Sequence, residues 1–193
     1  MNKDIYINDL NIKFDIKKGE TLNIYHYVFN KSVNVIINLN GENAKVNYHF
    51  SVISLDDNTF KIEVNHNSKN TESNIFNHGV NVLNNKLSFD VTGLVPKDIS
   101  KCICNQENQI INLRDGTSLI KPNLLIRNYD TFSNHAAYIG KFKDELLFYL
   151  MSRGISFNKS NELLMESLLI NNGNKEEKVV QEFIKNLKEV NNG

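Results

Sequence analysis

Apolar and polar positions alternate with a period of two from about residue 3 to residue 127. In TLNIYHYVF (21–29), Leu22, Ile24, His26 and Val28 fall on one face, and Asn23, Tyr25, Tyr27 and Phe29 on the other. SVNVIINL (32–39), AKVNYHFSVISL (44–55) and TFKIEVNH (59–66) follow, and shorter runs fit 73–83, 86–94, 101–104, 109–114 and 117–127. β-Branched and aromatic runs bounded by Asn, Gly and Asp clusters predict strands. Asn40-Gly41 is a turn signal of the kind that closes a two-residue hairpin. No helix-length amphipathic pattern interrupts this region, which leaves a sandwich, a barrel or a β-solenoid. No strict repeat is visible to choose among them.

After Gly140 the period becomes helical. A first helix is predicted over 142–155, with Asp144 and Glu145 near its start and Arg153 at its end, as the helix dipole favours. Gly154 is placed for a left-handed C-cap. A second helix is predicted over 159–171, with Leu163, Leu164, Leu168 and Leu169 on one face and Asn171-Asn172-Gly173 as its stop. A third, over 175–190, opens on Asn174 and Glu177 at capping-box spacing and carries the stripe Val179, Val180, Phe183, Ile184 and Leu187. The chain therefore divides into a β core over 1–140 and a helical segment over 141–193. Leu146, Leu147, Phe148, Leu150 and Met151 wrap much of the first helix, so it is expected to be covered on a second side, by a partner or by the third helix.

A length of 193 residues suits one domain with a small appendage. Its 22 basic and 22 acidic residues cancel, which argues against a general nucleic-acid binder. No apolar run reaches the length of a membrane span, and the first ten residues have no apolar core of a signal peptide. A cytoplasmic protein is expected. Asparagine is unusually frequent, with 33 residues against 9 Gly, 2 Pro and no Trp. It tolerates tight bends, which suits a fold of many short strands.

Candidate chemistry is sparse. Cys102 and Cys104 lie two apart on a predicted strand, where two thiolates on one face can share a soft metal or simply fill a core. Two cysteines make no all-thiolate tetrahedral site and no disulfide framework. The five histidines, His26, His49, His66, His78 and His135, show no zinc-binding spacing. Nucleotide-binding and serine-hydrolase motifs are absent from the sequence, Asp56-Asp57 reads as a solvated turn, and no enzymatic activity is expected.

One stretch carries a resemblance. KPNLLIRNYDTFSNHAAYIGKFKDELLFYLMSRGI, from Lys121, is similar to the C-terminal signature of the SufB/SufD family, the scaffold subunits of the SUF iron–sulfur assembly system. Pro122, Leu124 and Ile126 match its P-x-L-x-I. Ser133, His135, Ala137 and Gly140 match its S-H-G-A-T-x-G with one extra residue, Asn134. Phe148, Tyr149, Leu150, Ser152, Arg153, Gly154 and Ile155 match FYL-x-SRGI. Upstream, His66, Thr71, Ser73 and Gly79-Val80 resemble the family's H-x4-T-x-S segment. The matches cover roughly residues 60–172.

The resemblance implies a right-handed β-helix followed by helices, without enzymatic activity of its own. It implies pairing with a second SufB/SufD-like subunit, as a homodimer or heterodimer, and docking of a SufC-like ABC-type ATPase. The docking residues would be Phe148, Tyr149, Leu150, Arg153, Leu164 and Leu168. The cofactor it implies is a transient iron–sulfur cluster or iron at the subunit interface, with His135 as ligand and none held within the isolated chain. Family members are usually longer. The cysteine of the B-type subunit falls, counting back from Pro122 without gaps, on Glu107, and the Glu after its signature His is Ala136 here. Both departures place the chain nearer the D-type, and Cys102 and Cys104 serve as iron ligands only after a slip in register. A carbohydrate-active β-helix and a SufD-like protein without cluster chemistry are the alternatives, the former disfavoured by three Arg and no Trp.

Overall fold

The structure is a computed structural model in which residues 2–170 and 173–192 are described. Strands fill the chain up to Gly140: β1 (Asn2–Ile7), β2 (Asn11–Ile16), β3 (Thr21–Phe29), β4 (Val33–Leu39), β5 (Lys45–Ser54), β6 (Asn58–His66), β7 (Glu72–Asn81), β8 (Lys86–Val95), β9 (Cys102–Asn112), β10 (Thr117–Ile126) and β11 (Thr131–Gly140). Three helices follow: α1 (Asp144–Ser152), α2 (Phe157–Leu169) and α3 (Lys178–Asn192).

Odd strands form one sheet, β1-β3-β5-β7-β9-β11, and even strands the other, β10-β8-β6-β4-β2. Every pairing is parallel. Consecutive strands thus alternate between two facing sheets, and the chain coils as a β-solenoid. The hairpin expected at Asn40-Gly41 does not form: that turn carries the chain from β4 in one sheet to β5 in the other. In a solenoid every strand pairs with the next coil, so a tight turn changes sheets instead of closing a ladder.

The missing repeat has a physical reason. Asn2 pairs with Thr21, Thr21 with Lys45, Lys45 with Glu72 and Glu72 with Ile103, so coil length grows from 19 residues to 24, 27 and 31. What repeats is a conformation. Gly19, Asn43, Asn70 and Lys101 each lie two residues before one of those register positions, and all have left-handed backbones (φ 64°, 61°, 58° and 56°). One coil corner is therefore built on a column of residues at positive φ, where Gly and Asn fit and Lys is strained.

Asparagine also stacks. Asn23 donates to Asp4 at 2.7 Å, Asn47 to Asn23 at 2.8 Å, Asn74 to Asn47 at 3.0 Å and Asn105 to Asn74 at 3.0 Å. A second ladder runs from Asn65 to Asn38 to Asp15. Each amide donates to the coil before it, and each ladder ends on a carboxylate that only accepts. Beside the first ladder runs a stack of rings, Tyr6, Tyr25, His49 and Phe76, with centroids 4.7, 5.1 and 4.9 Å apart.

The interior is apolar in the early coils. Ile24, Tyr48, Phe50, Ile37, Ile62 and Phe60 are buried there, and Phe50, Phe60 and Phe89 meet at centroid distances of 5.0–6.0 Å. His26 belongs to this core. Its Nε2 faces the Asp9 carbonyl at 2.8 Å and so donates, leaving Nδ1 to accept from the Tyr48 hydroxyl at 2.7 Å. Burial lowers its pKa to about 4.

A second cluster binds the helices to the outer face of the odd sheet. Tyr27, Ile53, Val80 and Ile111 meet Met165, Leu169, Val180, Phe183 and Leu187. The carbonyls ending α2 are held by the sheet: Ser51 Oγ donates to Leu169 at 2.6 Å, and His78 bonds Leu168. α2 begins two residues earlier than expected because Ser156 caps it, accepting from the Lys159 amide. Its buried face is Ser160, Glu162, Met165 and Leu169, whereas Leu163, Leu164 and Leu168 are half-buried. The expected leucine face is thus rotated, with Lys159 neutralising the buried Glu162 at 2.7 Å. The expected stop at Asn171-Asn172 lies outside the described residues. Asn174 caps a turn, accepting from the Glu176 amide, and α3 starts only at Lys178.

Candidate functional site at the open end of the solenoid

The last coil is uncapped. β11 ends the odd sheet and β10 the even one, each bonded on one side only. Phe132 to Ile139 are all exposed, Phe132 at 66%. Parallel register fixes which side chains continue the interior. On β9 the buried positions include Cys102, Cys104, Gln106, Asn108 and Ile110. Their partners on β11 are Thr131, Ser133, His135, Ala137 and Ile139. His135 thus extends the interior column Tyr48, Ile75, Gln106 to the rim of the coil. Ala136 lies opposite Glu107, on the outward side.

Beneath this rim the interior turns polar. The column Leu22, Val46, Ser73, Cys104 passes from hydrocarbon to hydroxyl to thiol. His66 ends β6 and faces the odd sheet, its Nδ1 2.8 Å from Thr71 Oγ1 and its Nε2 2.9 Å from Ser73 Oγ. Thr71 Oγ1 is 3.3 Å from Cys102 Sγ, and Ser73 bonds Cys104. The sequence segment H-x4-T-x-S is therefore a hydrogen-bonded unit joining both thiols through one imidazole. Burial holds His66 neutral, with a pKa lowered to about 4, and pushes the Cys104 thiol up. Gln106 Oε1, Asn77 Oδ1 and Asn108 Nδ2 have no hydrogen-bond partner among the described residues.

The sequence-based candidates are thus partly assembled. Cys102 and Cys104 face inward, and His135 sits on the same interior side one strand further out. Glu107 faces outward, toward His78 at 3.9 Å. Because strand parity alternates, a thiol at 102 or 104 reaches the position of Glu107 only by a change of face. Among the described residues no group of three or more His, Cys, Asp and Glu surrounds a common point. One imidazole and two buried thiols fit an iron–sulfur cargo only in part; the remaining ligands would come from outside the chain. Gln106, Asn108 and Asn77 escaped the sequence reading, although even spacing from Cys102 marks the first two as its neighbours on one face.

Of the expected docking residues, Phe148 is 75% exposed, and Tyr149 is exposed with Arg153 5.0 Å above its ring. Leu150 and Leu164 are half-buried, and Leu168 packs against the cluster under α2. No residue of α1 is buried. α3 packs on α2 and on β3 and β1, so it does not supply the second cover that α1 lacks. Gly154, at φ 81°, ends α1 as expected, with its amide bonded to Met151 and that of Ile155 to Leu150.

The sequence profile described as "SUF system FeS cluster assembly, SufBD core domain" matches residues 9–168. The chain belongs to the SufBD core family. It is also 31% identical over 111 residues to the iron–sulfur cluster assembly protein SufD of Bacillus subtilis (strain 168). That alignment covers 57% of this chain and 25% of the SufD sequence. The profile match takes in β2 to β11, α1 and nearly all of α2. The polar interior and the open coil thus lie inside the SufBD core. Among the described residues no helix is long and apolar enough to cross a membrane.

Proposed function

We propose that the chain is a SufD-like scaffold subunit in iron–sulfur cluster assembly, working in the cytoplasm without enzymatic activity of its own. It pairs with a second SufB/SufD-like subunit across the open coil, and it docks a SufC-like ABC ATPase through α1 and the start of α2. The cluster, or iron, is cargo at that subunit interface. His135 offers an imidazole, a competent and reversible iron ligand. Since a single imidazole does not hold a cluster, the thiolates come from the partner.

One observation carries this reading: β11 is an unprotected edge, exposed along its length, with His135 on its inner face. An edge of unpaired donors and acceptors flanked by Phe132, Tyr138 and Ile139 is a template for another chain. The bare apolar surface of α1 supports a second contact in the same way.

Light scattering of the chain alone, and mixed with its ATPase and a cysteine-bearing SufB-like subunit, tests the assembly. A complex heavier than the 22.2 kDa chain is expected, and pairing with the second subunit, though not with the ATPase, should be lost when Phe132→Lys and Ala137→Lys are combined on β11. A monomer under all mixtures would overturn the proposal.

A further inference from the structure

We infer that the first coil is a self-association surface, on which the free edge of β2 pairs antiparallel with β2 of a second copy of this chain and Lys13 of each copy meets Asp15 of the other. The inference does not rest on the iron–sulfur reading, which uses the opposite end of the solenoid.

The first coil is open, as the last one is. Among the described residues, β1 ends the odd sheet and β2 the even one, each paired on one side only. The bonds of β2 show which of its backbone groups are free. The Leu10 and Ile16 carbonyls accept from the Asn34 and Asn40 amides of the next coil. Within a strand the N–H and C=O of one residue point the same way, and neighbours alternate. Leu10, Ile12, Phe14 and Ile16 therefore address β4, and Asn11, Lys13 and Asp15 address the open side with an unbroken row of donors and acceptors. The other outer edge of the even sheet, β10, lacks that continuity. There the Thr117 and Arg127 amides bond Asn85 and Val95 of the coil beneath, so even-numbered residues face outward. One of them is Pro122, which has no N–H to give.

Charge selects the register. A two-fold axis through Phe14, perpendicular to the sheet, sets Lys13 opposite Asp15 of the second copy and Asp15 opposite its Lys13, both as hydrogen-bonded pairs. An axis through Lys13 or through Asp15 would bring like charges face to face, which destabilises a strand pair. Both side chains lie on the outer face, 60% and 50% exposed and 3.8 Å apart within the chain. Asn38 and Asn40 each donate to Asp15 Oδ1 at 2.9 Å and so fix the carboxylate at the edge. A lysine alone on an edge keeps other strands away; alternated with an aspartate it admits a strand of the same sequence. On the inner side Ile5, Ile7, Leu10, Ile12 and Phe14 pack on the core but stay only half-buried. The same axis sets β1 against β1, so each copy's apolar set covers the other's. Such a contact is isologous and closes at two chains.

The test is sedimentation equilibrium of the full chain carrying Phe132→Lys and Ala137→Lys, which takes the β11 end out of play. A dimer of the 22.2 kDa chain is expected at micromolar concentration. Lys13→Asp alone and Asp15→Lys alone each put like charges into both pairs and should weaken the dimer by about tenfold. Lys13→Asp with Asp15→Lys should dimerise again with itself, but not with the unreversed chain, because both mixed pairs are of like sign. Hydrogen exchange gives a readout that needs no charge variant to fold: the amides of Asn11, Lys13 and Asp15 should exchange more slowly as protein concentration rises. A monomer throughout, a dimer indifferent to the single reversals, free mixing of the reversed and unreversed chains, or exchange independent of concentration would each overturn the surface. None of these outcomes bears on the SufD-like reading, which is tested by complexes made through β11 and α1.

Discussion

His26 and His66 lie in the interior with both ring nitrogens bonded, and burial lowers each pKa to about 4. An unfolded histidine titrates near 6.5. Between those values the unfolded chain holds more protons than the folded one, so stability is full above pH 6.5 and is lost as pH falls toward 4. At pH 5 the loss is about 2 kcal/mol for each histidine. The melting temperature should therefore drop by roughly 10 °C between pH 7 and pH 5, and a flat profile would contradict the buried, neutral assignment. A second test at this scale concerns Lys101. It occupies the left-handed column that Gly19, Asn43 and Asn70 fill at lower cost, so Lys101→Gly should stabilise the chain by about 0.5–1 kcal/mol in chemical denaturation. The abundance of asparagine was visible in the sequence, but its meaning was not. Bend-forming asparagines and ladder-forming ones look alike until coil length is known.

Strand alternation, the start of the helical region and the cap at Gly154 were all readable, because each rests on a local period or a local backbone need. Sheet partners were not. A tight turn at Asn40-Gly41 serves a hairpin and a solenoid corner equally well, and only long-range pairing decides between them. The buried face of α2 was misplaced for a related reason: Ser160 and Glu162 go inward, Glu162 neutralised by Lys159, while the more apolar Leu164 stays at the edge. The His66–Thr71–Ser73 unit was visible as a spaced motif, yet its tie to Cys102 and Cys104 depends on which coils stack. α1 is the element whose sequence and surroundings disagree most, since it is apolar on several sides and buried on none. Charge placed on its open face, as Phe148→Glu with Met151→Glu, should leave the melting temperature within about 2 °C, because exposed substitutions cost within about 0.5 kcal/mol. It should abolish capture of the SufC-like ATPase. Unchanged capture would remove α1 from the docking surface. Truncation at residue 174 is a poorer test, because Val180, Phe183 and Leu187 of α3 are buried against the sheet and α2.

Taken as a whole, the molecule is a solenoid whose interior changes from hydrocarbon to polar groups along its axis and then stops without a cap. The early coils hold the aromatic core, whereas the last two bring thiols, amides and an imidazole toward an edge that another chain can complete. The helices bind the outer face of the odd sheet and leave that edge free. The most direct measurement is the iron content of the complex formed anaerobically with the SufC-like ATPase and a cysteine-bearing SufB-like subunit, for the wild-type chain and for His135→Ala. Both chains should assemble, and the variant complex should hold far less iron. Equal iron in the two complexes, or no complex with the wild-type chain, would contradict it.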